Sequence, residues 1–216
     1  MTKKRVAVLI SGSGSNMVKL AEAAASEDFP AKIVAVISDK PDAGGLQKAS
    51  ALGIPAYALP RKDYASKAAH EVAILDALAE LRPDYLCLAG FMRLLSADFI
   101  RAYHGRIINI HPSLLPLFPG LDTHQRAIDA GMRIAGCTVH FVTEGMDEGP
   151  IIAQAAVPVL PGDDAATLAA RILTVEHQLY PQALKRLTAG DVRMEGGTAV
   201  FAEGVSMDED ARMIAG

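Results

Sequence analysis

The chain has 216 residues, half of them hydrophobic and 21% charged, which suits an ordinary globular protein with one well-buried core. A formal charge of −4 without a long basic run excludes a nucleic-acid coat or a binder of anionic membranes, and no apolar stretch is long enough to span a bilayer. Two isolated cysteines, Cys87 and Cys137, are too few for a disulfide framework or a zinc cluster, so a reducing, cytoplasmic setting is expected.

The basic start Lys3-Lys4-Arg5 leads into residues 6–10, a branched apolar run that is too short for a signal segment and reads as a buried parallel strand. Ser11-Gly12-Ser13-Gly14-Ser15-Asn16 follows, then a helix over 17–26 with Leu20, Ala23 and Ala24 on one side. A second strand is expected over 33–37, a short helix over 46–52 closed by Gly53, and a brief third strand at Tyr57 and Leu59. Asp63 is expected to cap a helix reaching Leu81, with Ala69, Val72, Ala73, Leu75, Ala77 and Leu81 as its apolar stripe and Pro83 as its stop. Residues 85–89 read as a fourth strand, Ser96 caps a short helix to about Tyr103, and 106–110 is a fifth strand.

After that strand, Pro112, Pro116, Pro119 and Gly120 make a rigid loop in which one X-Pro bond can be cis. Asp122 or Thr123 caps a helix to about Ala130, and strands over 137–142 and 151–159, joined by a turn at 144–149, read as an antiparallel extension. Asp164 opens a long helix to about Leu187, with Leu168, Ile172, Val175, Leu179 and Leu184 on its inner side. Pro181 is expected to kink that helix or end its first segment. Past Asp191, one or two short strands and a frayed acidic end at Asp208-Glu209-Asp210 are expected. Strands alternating with helices predict an α/β fold, a doubly wound and mostly parallel sheet that binds its ligands at the strand carboxyl ends.

Two stretches there carry chemistry. The loop 11–16 between strand and helix favours an anion, because backbone N–H groups and the helix N-terminus converge on it. Met17 stands where the dinucleotide fingerprint needs a third glycine, and no Walker lysine follows, so one phosphate fits better than a pyrophosphate. The other stretch is Ile107-Ile108-Asn109-Ile110-His111-Pro112. Asn109 and His111, at i and i+2, project to one face of a strand. An amide that can donate to an oxyanion thus stands beside an imidazole that can pass a proton. Met146-Asp147-Glu148-Gly149-Pro150 can bring a carboxylate, Asp147 or Glu148, to that imidazole. His140 is expected to pack near the site and His124 beside the proline loop, while His70, His104 and His177 read as structural or solvated. No cluster has the spacing of metal ligands.

The run from Ile108 to Pro116, with the segments 136–142 and 147–150, resembles the two signatures of the folate-dependent formyltransferases. The openings Ile10-Ser11-Gly12-Ser13-Gly14-Ser15-Asn16, Leu88-Ala89-Gly90-Phe91-Met92-Arg93 and Phe118-Pro119-Gly120-Leu121-Asp122-Thr123-His124 are similar to the branch of that family whose acceptor is 5-phosphoribosylglycinamide. The likeness runs from about Val6 to Ala189. It implies a Rossmann-like formyltransferase fold acting as a single domain over 1–216: a phosphate-binding half to about residue 110, a folate-binding and catalytic half over 111–190, and a short tail. It implies 10-formyltetrahydrofolate as co-substrate, no metal, and Asn109, His111 and Asp147 as the catalytic residues. The phosphate site would be Gly14, Ser15, Asn16, Met17 and Val18, with Glu176 on the rest of the acceptor. The folate pocket would take Met92, Arg93, Leu94, Leu95, Asn109, Thr143, Glu144, Gly145, Met146 and Asp147. Lys67 falls where some members carry an arginine near the folate tail; it keeps the charge but not the bidentate geometry. Partners are expected to be small molecules, with neither nucleic acid nor membrane, on a monomer or a homodimer.

Rival readings share the chemistry or the sheet. A tRNA-directed formyltransferase is expected to carry a further C-terminal domain and a basic surface, and a formyltetrahydrofolate hydrolase a domain ahead of the first strand. A nucleotide-binding oxidoreductase would use Asp39 as the acid closing the second strand. A non-enzymatic phospho-ligand sensor would leave the Asn109–His111 pairing idle.

Overall fold

A computed structural model describes residues 2–204, and the expected acidic end lies outside them. The chain divides into two compact units, Met1–Asn109 and Ile110–Gly216. The strand order is β3-β2-β1-β4-β5-β6-β7, with a separate two-stranded sheet β8-β9.

The first unit is built from β1 (Lys4–Ile10), α1 (Ser15–Ala24), β2 (Ala31–Ser38), α2 (Gly44–Ala51), β3 (Ala56–Ala58), a 3-10 turn Arg61–Asp63, α3 (Lys67–Leu81), β4 (Tyr85–Leu88), α4 (Ala97–Ala102) and the start of β5 (Ile107–His111). Strand β1 pairs in parallel with β2 on one side and β4 on the other. Val6, Ala7, Val8, Leu9 and Ile10 are wholly buried, as a strand covered on both faces requires. The chain turns to β2 and β3 on one side of β1 and to β4 and β5 on the other. A topological switch point therefore falls at the carboxyl ends of β1 and β4, where open parallel sheets hold their ligands. The loops leaving both strands meet there: Ser11 N–H donates to Gly90 O at 3.1 Å and Met92 N–H to Ser11 Oγ at 2.8 Å.

Helix α3 departs from expectation twice. Asp63 closes the 3-10 turn, and the cap is Ser66, whose Oγ accepts Ala69 N–H at 3.1 Å. The buried face is His70, Glu71, Ile74 and Leu78, and Val72 is exposed. The shift follows from tertiary partners: His70 Nε2 pairs with Leu59 O at 2.8 Å, and Glu71 Oε1 accepts Ser96 N–H at 2.9 Å. Those bonds let two polar side chains turn inward at small cost.

The second unit holds the end of β5, α5 (Thr123–Asp129), the antiparallel pair β6 (Ile134–Phe141) and β7 (Ile151–Pro158), α6 (Ala165–Ala189), and the hairpin β8 (Val192–Glu195) and β9 (Thr198–Phe201). The proline loop before α5 contains the cis bond Leu115–Pro116, and Asp122 precedes α5 in a left-handed conformation without capping it through its side chain. Helix α6, capped by Asp164 through Thr167 N–H, continues past Pro181 rather than ending there. The proline removes one helical hydrogen bond. Leu168, Ile172, Val175 and Leu179 before it and Ala183, Leu184 and Leu187 after it are all buried, and that continuous face outweighs the lost bond.

Candidate active site

In the first unit the glycine loop enters α1 through Gly14, at φ 70° and with no side chain to cap the helix. Val18 N–H is the first to find a helical acceptor, Gly14 O at 3.0 Å, so of the five residues expected at a phosphate, Val18 brings no spare donor. Met17 is wholly buried and can act only through its backbone. The first turn carries no acidic residue, which leaves the positive end of the helix uncompensated. Helix α2 presses on this loop: a Cβ at Gly14 would stand 2.7 Å from Gly45 Cα, and Gly45 N–H donates to Gly12 O at 3.0 Å. Only glycines allow that approach.

Lys67, Met92, Arg93, Leu94 and Leu95 line one concavity of about 410 Å³ with Arg61, His70, Glu71, Ile74 and Phe91. Its rim is held at both ends, by Met92 N–H on Ser11 Oγ and Ser96 N–H on Glu71 Oε1. Between them Arg93 Nε donates to Asp39 Oδ2 at 2.7 Å. The Asp39 side chain is fully buried in this ion pair. It is therefore not offered to a ribose, and with Met17 breaking the fingerprint the oxidoreductase reading loses its acid. Met92 and Leu94 remain more than half exposed, an apolar lip suited to a flat, partly aromatic ligand.

In the second unit His111, the last residue of β5, is buried with its ring between two acceptors. Nε2 lies 3.0 Å from Phe118 O, and Nδ1 lies 3.4 Å from Asp147 Oδ2. A carbonyl can only accept, so Nε2 carries hydrogen; a second proton, on Nδ1, would point at the carboxylate. Asp147 is placed by its backbone, left-handed at φ 56°, a strain of about 1 kcal/mol that aspartate tolerates better than most residues. Gly120 N–H anchors its Oδ2 at 2.8 Å. The proline loop thus touches both groups, Phe118 O on the imidazole and Gly120 N–H on the carboxylate. Arg126 braces that loop, donating to Pro119 O at 2.6 Å and Leu121 O at 3.1 Å, over the Phe118 ring.

His140 completes the cluster. Its Nδ1 donates to Phe141 O at 2.9 Å, and Nε2 stands 3.8 Å from Asp147 Oδ1. Burial holds its pKa below the ordinary imidazole value, against the Phe141 bond and the Asp147 charge, which raise it. The neutral ring therefore turns a lone pair toward the carboxylate, a geometry that a bridging water satisfies. Burial and then His111 hold His124 below the ordinary value too. Asn109, half-buried, stands two residues before His111 on β5, as the strand period requires for a shared face. Of the expected loop 143–147, Asp147 is the residue brought to the imidazole, and its neighbour Glu148 is exposed. Glu176 is buried on α6 near Cys137; burial first, then that carboxylate, push the Cys137 thiol up and keep it protonated.

Gly149 fixes how the loop returns to β7. A Cβ there would fall 1.6 Å from Phe141 O, which backbone cannot yield. Gly149→Ala is expected to lower unfolding free energy by about 2–3 kcal/mol, as overpacking against a strand does, and to cut activity because His140 and Asp147 move with that strand end. Denaturant titration checks it, and a midpoint equal to wild type would refute it. Backbone groups at Phe118, Gly120 and Gly45, and the brace Arg126, escape sequence reasoning. Only the Gly44-Gly45 pair carries a signal, as a close approach opening a helix.

A doubly wound α/β sheet with ligand loops at its switch point places the chain among small-ligand-binding α/β proteins. It belongs, more closely, to the formyl transferase family, whose model matches residues 4–184. It is similar to phosphoribosylglycinamide formyltransferase of Haemophilus influenzae, 44% identical over 196 residues, 91% of this chain and 92% of that protein. The crystal structure of phosphoribosylglycinamide formyltransferase from Brucella melitensis superposes with a TM-score of 0.84 at 63% identity, covering 93% of this chain and 100% of that one. The chain is also 50% identical over 190 residues, 87% of its length, to the trifunctional purine biosynthetic protein adenosine-3 of Drosophila melanogaster, of which it spans only 14%.

Proposed function

We propose that the chain transfers the formyl group of 10-formyltetrahydrofolate to the amine of 5-phosphoribosylglycinamide, in the cytoplasm, as a step of purine biosynthesis. The observation that carries this reading is the His111–Asp147 pair at 3.4 Å in a chain of the formyl transferase family. The amine nitrogen attacks the formyl carbon, and the carbonyl oxygen becomes an oxyanion. The Asn109 amide donates to it, and so does His111 Nε2–H, drawn from Phe118 O. The attacking nitrogen gives up a proton while the folate nitrogen gains one as its bond to carbon breaks. His111 and Asp147 relay that proton, with a water between Asp147 and His140. The N–H groups of Ser15, Asn16 and Met17 hold the acceptor's phosphate, with Glu176 on the glycinamide-ribosyl part. In the first unit the concavity of Lys67 and Met92–Leu95 takes the folate, and in the second unit the segment Thr143–Asp147 contacts it. Much of the acceleration comes from alignment of the two substrates.

Incubation with both substrates is expected to release tetrahydrofolate in step with formylated acceptor. Folate release without acceptor would point to a hydrolase and sink the reading, as would nucleotide binding with no transfer.

A further inference from the structure

The glycine loop 11–16 contains no cation of its own, yet a lysine reaches it from elsewhere. Lys48 lies on α2, and its Nζ donates to Ser13 O at 2.9 Å, across 35 residues of sequence. It stands one helical turn beyond Gly45, on the side of α2 that meets the loop. The Gly45 N–H bond to Gly12 O and the missing side chains at Gly14 and Gly45 fix that docking. An ammonium has three N–H donors, and Ser13 O takes one. No carboxylate among the described residues pairs with Lys48, and α1 opens without an acid. A full positive charge therefore stands, uncompensated, one peptide from Gly14.

We propose that Lys48 is a specificity-determining residue that reads the acceptor's phosphate, supplying from α2 the cation that the loop itself lacks. This rests on the formyl-transfer reading, which puts a phosphate at the start of α1. Backbone donors hold a phosphate by geometry. A lysine adds attraction that depends on the ligand's charge, so its contribution appears only with a phosphorylated acceptor.

The test compares kcat/KM for 5-phosphoribosylglycinamide and for its dephosphorylated ribosyl analogue in wild type, Lys48→Met and Lys48→Arg. The preference for the phosphorylated acceptor is expected to fall about tenfold in the methionine variant, through the KM of that acceptor alone. Competitive inhibition by inorganic phosphate should weaken by a similar factor, and arginine should restore both. Lys48→Gln, whose amide N–H can still donate to Ser13 O but carries no charge, separates bracing from charge: it is expected to lose the preference as methionine does, and a preference equal to wild type in either variant overturns the proposal. If wild type formylates neither acceptor, the formyl-transfer reading fails by itself. Calorimetric binding of inorganic phosphate then decides on Lys48: binding about tenfold weaker in Lys48→Met supports it, and equal binding refutes it.

Discussion

His111→Ala is expected to lower kcat about a thousandfold while changing either KM only a few-fold. General acid–base catalysis contributes about 10²–10⁴ and an oxyanion donor about 10²–10³. In the proposed mechanism one ring does both, and such contributions do not multiply when one residue carries them. The ring's structural part is small by comparison. It makes one bond to backbone, Nε2 to Phe118 O, worth about 1 kcal/mol, and Phe118 lies in a loop that Arg126 braces independently. The variant should therefore fold, with a thermal midpoint a few degrees below wild type, and bind folate and acceptor separately. Steady-state and single-turnover kinetics check it. A variant that folds and turns over at the wild-type rate would remove the imidazole from the mechanism.

The strands that frame the site are legible in the sequence because burial on both faces writes them as unbroken branched runs: Val6 to Ile10 reads as β1 and is wholly buried. The pairing of Asn109 with His111 is legible for the same reason, since a period of two needs only a strand. The face of α3 is not legible. His70 and Glu71 turn inward because Leu59 O and Ser96 N–H, on other elements, wait for them, and helical periodicity sees only apolar side chains. The role of Asp39 is hidden likewise, because its partner Arg93 is 54 residues away. Around His111 most of the restraint comes from Phe118 O and Gly120 N–H, and backbone groups leave no residue signature. The turn residues Met146-Asp147-Glu148-Gly149-Pro150 announce a tight loop with two carboxylates. Only the left-handed backbone at Asp147 decides which of them faces the imidazole.

That choice gives the second large effect. Asp147→Asn is expected to lower kcat about 10²–10⁴-fold, the range for an acid–base group, whose upper end is reached when a buried carboxylate behind a catalytic imidazole loses its charge. The change is nearly isosteric, and asparagine shares the tolerance of the left-handed region. Its side-chain oxygen can still accept Gly120 N–H, now 2.8 Å from Oδ2, so the loop keeps its anchor. What disappears is the charge facing His111 Nδ1 at 3.4 Å and His140 Nε2 at 3.8 Å; the amide oxygen in the Oδ2 position still faces Nδ1, but as a neutral acceptor that favours a second ring proton far less. Asp147→Ala should lose the anchor as well and be less stable, which separates charge from placement. Glu148 is the control: exposed and without a bond to either histidine, its change to Gln should leave kcat within about twofold. Should Glu148→Gln lose turnover and Asp147→Asn keep it, the two carboxylates would exchange roles and the proton path drawn through Asp147 would be wrong.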